Sequence, residues 1–255
     1  RDYDSLKRSI ACNEHRESIG VEIIFHMAGA VGVGQSQYEI KKYIDVNTGG
    51  TANLLDILVN HRNKVEKLIV AASMSSYGEG YYQCPDCGRI RPGLRPELQL
   101  EKGDWNVYCP NCHNMAEPIP IDEEASLNCN SIYALSKMDQ ENICILMGKT
   151  YKIPTVALRF FNVYGPRQSL SNPYTGVAAI FMSRIKNDKP PIIYEDGLQS
   201  RDFISIHDIV EANMMAMEKE EANYEVFNVG TGQPLIISEI AQKVAILYGK
   251  DIAPV

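Results

Sequence analysis

The sequence predicts an α/β fold in which a parallel sheet is covered by helices on both faces. Three continuous apolar runs are typical of buried strands: "VEIIF" (21–25), "KLIVAAS" (67–73) and "TVALRF" (155–160). Three other segments carry apolar residues at helical spacing: "TANLLDILVNH" (51–61), "SKMDQENICILMGKTY" (136–151) and "GVAAIFMSRIKN" (176–187). Alternation of such strands and helices indicates parallel pairing, because the crossover helices bury both faces of the sheet.

The elements become shorter after Pro190, which predicts a smaller second lobe. This lobe is expected to contain the segments "PIIYEDG" (191–197), "RDFISI" (201–206) and "EVFNVG" (225–230), a helix from about Asp208 and a last helix ending near Gly249. A further segment of about forty residues, between "SSYGEG" and "IDEEASLN", breaks the alternation. It is rich in proline, glycine and charge, and it lacks periodicity, so we treat it as an insert.

Composition excludes several classes of protein. The chain has 255 residues and a net charge of −7, which argues against a broad surface for nucleic acid or anionic membrane. No apolar run approaches the roughly 18 residues that a membrane-spanning helix needs. Four of the seven cysteines form two C-x-x-C pairs, which favours metal binding in a reducing cytoplasm over a disulfide framework.

The two cysteine pairs predict a structural zinc site. "CPDC" and "CPNC" each place two thiolates on one side of a tight turn, and two facing turns make a tetrahedral site that suits Zn²⁺. Four thiolate ligands leave no position for a catalytic water. Redox thiols are the alternative. The predicted ligands are Cys84, Cys87, Cys109 and Cys112. The scattered Cys12, Cys129 and Cys144 are expected to be small core residues.

Zinc ribbons often bind nucleic acid, which makes a binding module the rival class of function. The charges of residues 81–117 speak against it, because four basic and five acidic side chains gain little from counterion release. They are Arg89, Arg91, Arg95 and Lys102 against Asp86, Glu97, Glu101, Asp104 and Glu117.

The segment "YALSK" places Tyr133 and Lys137 one turn apart on the same helix face. A lysine ammonium near a phenol is expected to lower the phenol's pKa, which makes a base able to take a proton from a sugar hydroxyl. Without further motifs, Tyr133 and Lys137 could instead be an ordinary pair of side chains on the protein surface.

Other motifs accompany this pair in order: "ASMSSYG", "LRFFNVYGPRQ", "QSRDFISIHDI" and "FNVGTG". Together they resemble the extended short-chain dehydrogenase/reductase superfamily, the NAD-dependent epimerases and dehydratases of nucleotide sugars, along the whole chain except the insert. The zinc knuckles and "SLSNPYTGV" (169–177) are similar to proteins of the dTDP-L-rhamnose 4-epimerase type. The resemblance implies a Rossmann-like doubly wound sheet, a smaller α/β substrate lobe, bound NAD and a homodimer formed through the helices around 47–61 and 133–151.

The glycine cluster "HMAGAVGVGQS" (26–36) follows a strand, a pattern that is typical of a pyrophosphate-binding loop. The resemblance instead places it at the end of the fourth strand, where small residues touch the cofactor. It implies that the first strands with the true phosphate loop lie outside this chain and that the substrate lobe is incomplete at its end. We therefore expect this chain alone to bind NAD weakly and to have little activity.

The resemblance also implies the domain boundaries. A partial NAD-binding domain would comprise residues 1–80 and 118–165, the zinc-ribbon-like insert 81–117, and residues 166–255 mainly the substrate lobe with interleaved Rossmann elements.

Roles follow from the motif positions. Tyr133 would be the base, Lys137 would hold the phenolate and the nicotinamide ribose, and Ser73 would hydrogen-bond the sugar hydroxyl. Besides Tyr133 and Lys137, the implied cofactor contacts are Ala28, Gly29, Ala30, Asn47, Phe160 and Val163. The implied substrate contacts are Gly32, Val33, Ser75, Asn162 and Arg201. Asn47 could instead cap its helix, and His26 is expected to be a packed residue at a strand end.

The residues after Ser73 distinguish the reaction types. Dehydratases and decarboxylases of this family use an acid there, whereas this chain has Met74, Ser75 and Ser76. The resemblance therefore implies a nucleoside-diphosphate-sugar 4-epimerase without naming its base or sugar. A 4-keto-sugar reductase is the alternative within the superfamily, and a zinc-ribbon binding module or an inactive fragment is the alternative of another class.

Overall fold

The computed structural model describes residues 2–10, 20–168 and 176–255. Cys12 and most of the "SLSNPYTGV" segment lie outside the described residues. The chain divides into two compact units, which we describe separately. Unit 1 comprises Arg1–Ser76, Cys129–Phe161 and Ser205–Val229, and unit 2 comprises Tyr77–Asn128, Asn162–Ile204 and Gly230–Val255.

The elements alternate between helix and strand through most of the chain. The helices are α1 Tyr3–Ile10, α2 Val33–Ser36, α3 Ile40–Tyr43, α4 Gly50–Asn60, α5 Glu97–Leu100, α6 Ile132–Tyr151, α7 Val177–Lys186, α8 Ile206–Glu218 and α9 Ile237–Leu247. The strands are β1 Ile23–His26, β2 Lys67–Ser73, β3 Tyr81–Cys84, β4 Gly88–Ile90, β5 Glu117–Ile119, β6 Thr155–Phe160, β7 Asn162–Tyr164, β8 Ser200–Ser205, β9 Val226–Val229 and β10 Pro234–Ile236.

Unit 1 contains the predicted parallel sheet. Its order is β1-β2-β6-β9 and every neighbouring pair is parallel. Every residue of β2 is buried, so both faces of the sheet are covered. α4 and α6 pack together, α6 also packs on β2 and β6, and α8 packs on the same two strands. The α/β fold with a parallel central sheet is confirmed.

The sheet brings three strand ends to one edge. Ser73 at the end of β2 lies opposite Phe160 at the end of β6, and Phe160 lies opposite Val229 at the end of β9. Ligands of open α/β sheets bind outside the carboxyl ends of the strands. The register therefore sets Ser73 and Phe160 side by side where a ligand of such a sheet binds.

The first strand is less buried than the sequence indicates. β1 covers Ile23–His26, not 21–25, and Phe25 is 39% exposed. β1 is an edge strand of the described sheet and pairs only with β2. The prediction of a fully buried strand is therefore wrong for this run.

Unit 2 contains two three-stranded sheets, with the orders β10-β8-β7 and β4-β3-β5. α7 and α9 pack together around Phe181, Ile185 and Ala241. The segment "PIIYEDG" contains no strand, because it turns back at 195–197 and Gly197 has a positive φ of 75°. None of the helices in the described part of the chain has the length and apolar character needed to cross a bilayer.

Candidate active site

Tyr133 and Lys137 lie one turn apart in α6 and are both buried, at 8% and 4% exposure. The start of this helix is fixed twice. The Ser131 hydroxyl accepts the backbone N–H of Ala134 at 3.1 Å, which is an N-cap, and the Tyr133 N–H donates to Ser36 Oγ at 3.0 Å. Tyr133 is thereby held in the first turn, so its ring position is defined by the helix start. The surface-pair alternative is wrong.

Ser73 and Tyr133 meet through their hydroxyl groups. The Tyr133 hydroxyl donates to Ser73 Oγ at 3.5 Å. Ser73 also accepts the backbone N–H of Ser75 at 3.2 Å, from the short 3₁₀ turn that follows β2. The structure thus brings together two predicted catalytic side chains that are 60 residues apart in the chain.

The net shift of the Tyr133 pKa is upward, not downward as predicted. Burial raises the pKa of Tyr133, and the hydrogen bond with Ser73 opposes this rise. The Lys137 ammonium donates instead to the backbone carbonyl of Ala71 at 2.7 Å and to Gln140 Oε1 at 2.8 Å. Burial lowers the pKa of Lys137 to about 8. The prediction that the pKa of Tyr133 is lowered is therefore wrong for this structure.

The side chain of Asn47 links the glycine cluster (26–36) to α6 by hydrogen bonds. Its side-chain oxygen accepts the N–H of Ala30 at 2.6 Å, and its amide nitrogen donates to the Ala30 carbonyl at 3.1 Å and to Ser136 Oγ at 2.9 Å. Asn47 is fully buried within a π-helical segment, Ile44–Gly49, that continues into α4. It lies inside a helical run, so the capping alternative is wrong.

Gly29 lies against the same two side chains. A Cβ atom built on Gly29 would stand 3.3 Å from Asn47 Oδ1 and 3.4 Å from Lys137 Nζ. Both distances are tight, so glycine leaves the space beside the ammonium open. The neighbouring Ala28 carbonyl lies 3.5 Å from the amide nitrogen of Gln140.

The predicted sugar-facing residues Gly32 and Val33 form the start of α2. Gly32 has φ 140° and precedes the helix, a conformation that favours glycine, and Val33 is 50% exposed. Gly32 therefore ends the segment after β1 and Val33 begins α2, and their contact with the sugar stays a prediction.

His26 is a packed residue at a strand end, as predicted. Its Nε2 lies 2.7 Å from Thr51 Oγ1 and 3.2 Å from the amide nitrogen of Gln140. Burial, with a smaller contribution from Lys137, lowers the pKa of His26 to about 4. His26 is therefore neutral near pH 7.

We expect one of the five histidines to titrate near pH 4 in an NMR titration. The unfolded chain takes up this proton near pH 6.5, so stability falls as the pH drops from about 6.5 to about 4, by up to about 3 kcal/mol. The His26→Gln variant should lose this part of the pH dependence of thermal unfolding. The exposed His207→Gln is the control, and an ordinary pKa for His26 would contradict the expectation.

Three predicted site residues lie in unit 2. Asn162 and Val163 are in β7, and Arg201 is in β8, the adjacent strand. The Asn162 amide donates to the backbone carbonyl of Asp202 at 3.1 Å, and the exposed Arg201 donates to the Ser200 carbonyl at 2.7 Å. The sheet thus places the two predicted diphosphate ligands on neighbouring strands.

The four predicted zinc ligands form one cluster. All four sulfur atoms lie within 4.8 Å of one another, and the Cys84 and Cys112 sulfurs are 3.4 Å apart. A tetrahedral zinc–thiolate site, with Zn–S of about 2.3 Å, has sulfurs about 3.8 Å apart. The cluster lies between two turns: one follows β3, and the other contains Cys109 and Cys112.

Backbone N–H groups point at these sulfurs, as thiolate ligands require. The N–H of Cys87 donates to Cys84 Sγ at 3.5 Å, and those of Cys112 and Asn111 lower the pKa of Cys109 to about 7. Cys84 and Cys109 are fully buried. The donor set therefore fits a structural Zn²⁺.

The other cysteines differ from one another. Cys144 is fully buried in the core of unit 1, as predicted. Cys129 is only half-buried and donates to the Ser76 carbonyl at 3.7 Å, so its assignment to the core is wrong.

Comparison with known proteins assigns the family. The sequence model of the NAD-dependent epimerase/dehydratase family matches residues 3–94 and 107–230. This chain belongs to the NAD-dependent epimerase/dehydratase family. A curated relative, dTDP-L-rhamnose 4-epimerase of Burkholderia thailandensis, is 37% identical over 233 residues, which are 89% of this chain and 61% of the relative. The chain thus spans about three fifths of the length of that relative.

Solved structures of epimerases share the fold. UDP-glucose 4-epimerase of Thermotoga maritima, with UDP-glucose, has a TM-score of 0.76 and 26% identity, over 100% of this chain and 68% of that one. UDP-glucose 4-epimerase of Thermus thermophilus, in complex with NAD, has a TM-score of 0.72 and 26% identity over the same shares. The described residues therefore have the Rossmann-like fold of this epimerase/dehydratase family.

Sequence reasoning missed three polar residues of this family member that surround the site. These residues, Gln140, Ser136 and Thr51, are fully buried. Gln140 accepts from Lys137 and donates to Thr51, and Ser136 accepts from Asn47. Gln140 stands three residues after Lys137 and seven after Tyr133. A polar side chain at that spacing on a buried helix face is the signal that could have found it.

Proposed function

We propose that the complete protein is a nucleoside-diphosphate-sugar 4-epimerase that uses bound NAD, whereas this chain alone binds NAD weakly and has little activity. The observation that carries the proposal is the hydrogen bond between the Ser73 and Tyr133 hydroxyls, with Lys137 one turn behind, at the carboxyl ends of a parallel sheet. The curated relative named as a 4-epimerase and the family supply the support for NAD and for the sugar class.

Several residues of unit 1 fit a nicotinamide nucleotide. An ammonium has three N–H bonds; Ala71 and Gln140 account for two of those of Lys137, and the third serves the nicotinamide ribose. Gly29 presents backbone without a side chain beside this ammonium. Asn47 holds the glycine cluster in place, and Phe160 lines the nicotinamide. When bound, NAD accepts hydride from the sugar and returns it.

Tyr133 is the base and acid of the reaction. Its phenol oxygen takes the proton from the sugar C4 hydroxyl while hydride leaves C4, and Ser73 Oγ holds the same oxygen. The 4-keto sugar would then turn over in the site, and Tyr133 would return the proton to the C4 oxygen when the bound NAD supplied hydride to the other face of the sugar. The positive charge of Lys137 stabilises the phenolate that forms in between.

Asn162 and Arg201 bind the substrate diphosphate. The planar guanidinium of Arg201 is exposed and suits phosphate oxygens, which it can bind through two parallel hydrogen bonds. Gly32, Val33 and Ser75 contact the sugar.

The turn after β2 favours epimerisation over elimination or decarboxylation. It contains Met74, Ser75 and Ser76, none of which can donate or accept a proton as a carboxyl group would. A 4-keto-sugar reductase shares this turn, and steady consumption of NADPH would reveal it.

Substrate labelled with deuterium at C4 is expected to keep its label on epimerisation, because the hydride leaves and returns within one active site. Mass spectrometry of the product measures this directly. Sugar labelled at C5 and unlabelled sugar are the controls for exchange elsewhere. Washout of the C4 label into solvent would contradict the mechanism.

A panel of dTDP-, UDP- and GDP-sugars identifies the substrate. The relatives named above act, by their names, on dTDP-L-rhamnose and UDP-glucose, so epimerisation of these two sugars is measured first.

The remaining assignments concern metal, assembly and location. The four cysteines Cys84, Cys87, Cys109 and Cys112 hold a structural Zn²⁺. A reducing compartment, the cytoplasm, keeps their thiols free of disulfides and able to bind the metal.

The protein forms a homodimer through α4 and α6, since Leu146 and Tyr151 of α6 are 67% and 53% exposed. Sedimentation measures the dimer. Neither nucleic acid nor membrane is a partner.

A further inference from the structure

A buried amide stands behind Lys137. Gln140 is fully buried, and its Oε1 accepts from the Lys137 ammonium at 2.8 Å. The backbone carbonyl of Ala71 is the other acceptor of this ammonium, at 2.7 Å. A buried glutamine requires partners for its oxygen and its two N–H bonds, and both ends of this side chain meet polar atoms of the site.

Hydrogen-bonding rules fix the orientation of this amide. The Thr51 hydroxyl donates its one hydrogen to the Asn47 carbonyl at 2.6 Å, so Thr51 Oγ1 can only accept from the Gln140 nitrogen at 2.8 Å. His26 is neutral, and its Nε2 lies 2.7 Å from Thr51 Oγ1 and 3.2 Å from the Gln140 nitrogen. A flipped Gln140 would set its NH₂ group against the ammonium. Thr51 therefore keeps the oxygen of Gln140 towards Lys137.

We propose that Gln140, oriented by Thr51, is a positioning residue that holds the Lys137 ammonium with a neutral acceptor. This rests on the proposed function, in which the charge of Lys137 stabilises the phenolate. A carboxylate in the place of Gln140 would hold the Lys137 ammonium, but its negative charge would cancel the field of the ammonium at Tyr133. A neutral amide oxygen orients the ammonium by a hydrogen bond and leaves its positive charge in effect.

The surroundings of Lys137 agree with this role. The titratable groups that interact with it are His26 from β1, which is neutral, and Cys144 from its own helix. The nearby buried carboxylate, Glu141, is paired with Arg159 at 2.6 Å.

The experiment measures the titration of Lys137 by ¹³C NMR of labelled lysine, and kcat and KM in the epimerase assay. In Gln140→Met, which keeps the volume and removes the acceptor, the Lys137 midpoint should fall by about one pH unit. The value of kcat should fall about tenfold while the KM for sugar stays, because Gln140 does not touch the sugar. Gln140→Glu should move the midpoint upwards by about one unit or more and also lower kcat.

Two further variants complete the test. Thr51→Val keeps the side-chain shape but removes the hydroxyl that orients the Gln140 amide. It should therefore shift the Lys137 midpoint in the same direction as Gln140→Met, by a smaller amount. Gln35→Met is the control, because the side chain of Gln35 bonds to Tyr43 and Glu39 instead of Lys137.

An unchanged Lys137 midpoint in folded Gln140→Met would overturn the proposal, and if that variant does not fold, an unchanged midpoint in Gln140→Glu does so. Absence of epimerase activity from the complete, unsubstituted protein would overturn the proposed function alone, since the titration is read without sugar.

Discussion

Replacing Tyr133 with phenylalanine is expected to lower epimerase turnover by about 10²–10⁴-fold, the contribution of a positioned general base. The substitution removes one hydroxyl whose contact with Ser73 Oγ is 3.5 Å long, so the fold should persist. The value of kcat from the product ratio over time measures the effect.

The matched control for this substitution is Tyr43→Phe. Tyr43 is also buried, its ring packs edge-on against that of Tyr133 with centroids 6.3 Å apart, and its hydroxyl donates to Gln35. Loss of that hydroxyl should leave turnover within about twofold while costing about 1 kcal/mol of stability. Equal losses of turnover in both variants would show that the phenol of Tyr133 is structural and would contradict its role as the base.

Removing the proposed zinc is expected to unfold the insert, the second large effect. Structural zinc sites contribute about 10–16 kcal/mol of binding free energy to small folds, and the insert has a small core around Cys84, Ile90, Cys109 and Ala116. The single tryptophan of the chain, Trp105, lies in the insert. A strong chelator should therefore change the Trp105 fluorescence, and elemental analysis should find one zinc per chain beforehand.

The Cys84→Ser variant should lose the zinc and show the fluorescence of the chelated protein. Cys129→Ser is the control, since Cys129 is half-buried and lies outside the cluster. Purified protein that contains no metal, or a Cys84→Ser variant that keeps its thermal stability and its zinc, would refute the assignment.

The strands of the sheet could be predicted from sequence because local patterns determine them. "KLIVAAS" and "TVALRF" match β2 and β6 residue for residue, since both runs are mainly apolar and are buried along nearly their whole length. Phe25 lies in a run of the same kind but is exposed, because the burial of a strand depends on which strands pair with it. That pairing is a property of the fold and not of the five residues themselves.

The side chains of the site divide in the same way. The one-turn spacing of Tyr133 and Lys137 could be read locally, and the motif order supplied Ser73. The direction of the Lys137 ammonium could not, because Ala71 reaches it from β2 and Thr51 of α4 orients Gln140, its neighbour on α6. The pKa of Tyr133 was mispredicted because burial, which the whole fold determines, raises it.

The two ends of the insert lie side by side. Tyr81 in β3 is paired in register with Ile119 in β5, and antiparallel partners have Cα atoms about 4.5–5.5 Å apart. The chain therefore leaves and re-enters the surrounding fold at nearly one point, as a hairpin would. Such a module can be gained, lost or exchanged during evolution by a single recombination event, and a short turn grafted between the same two positions would make the corresponding deletion in the laboratory.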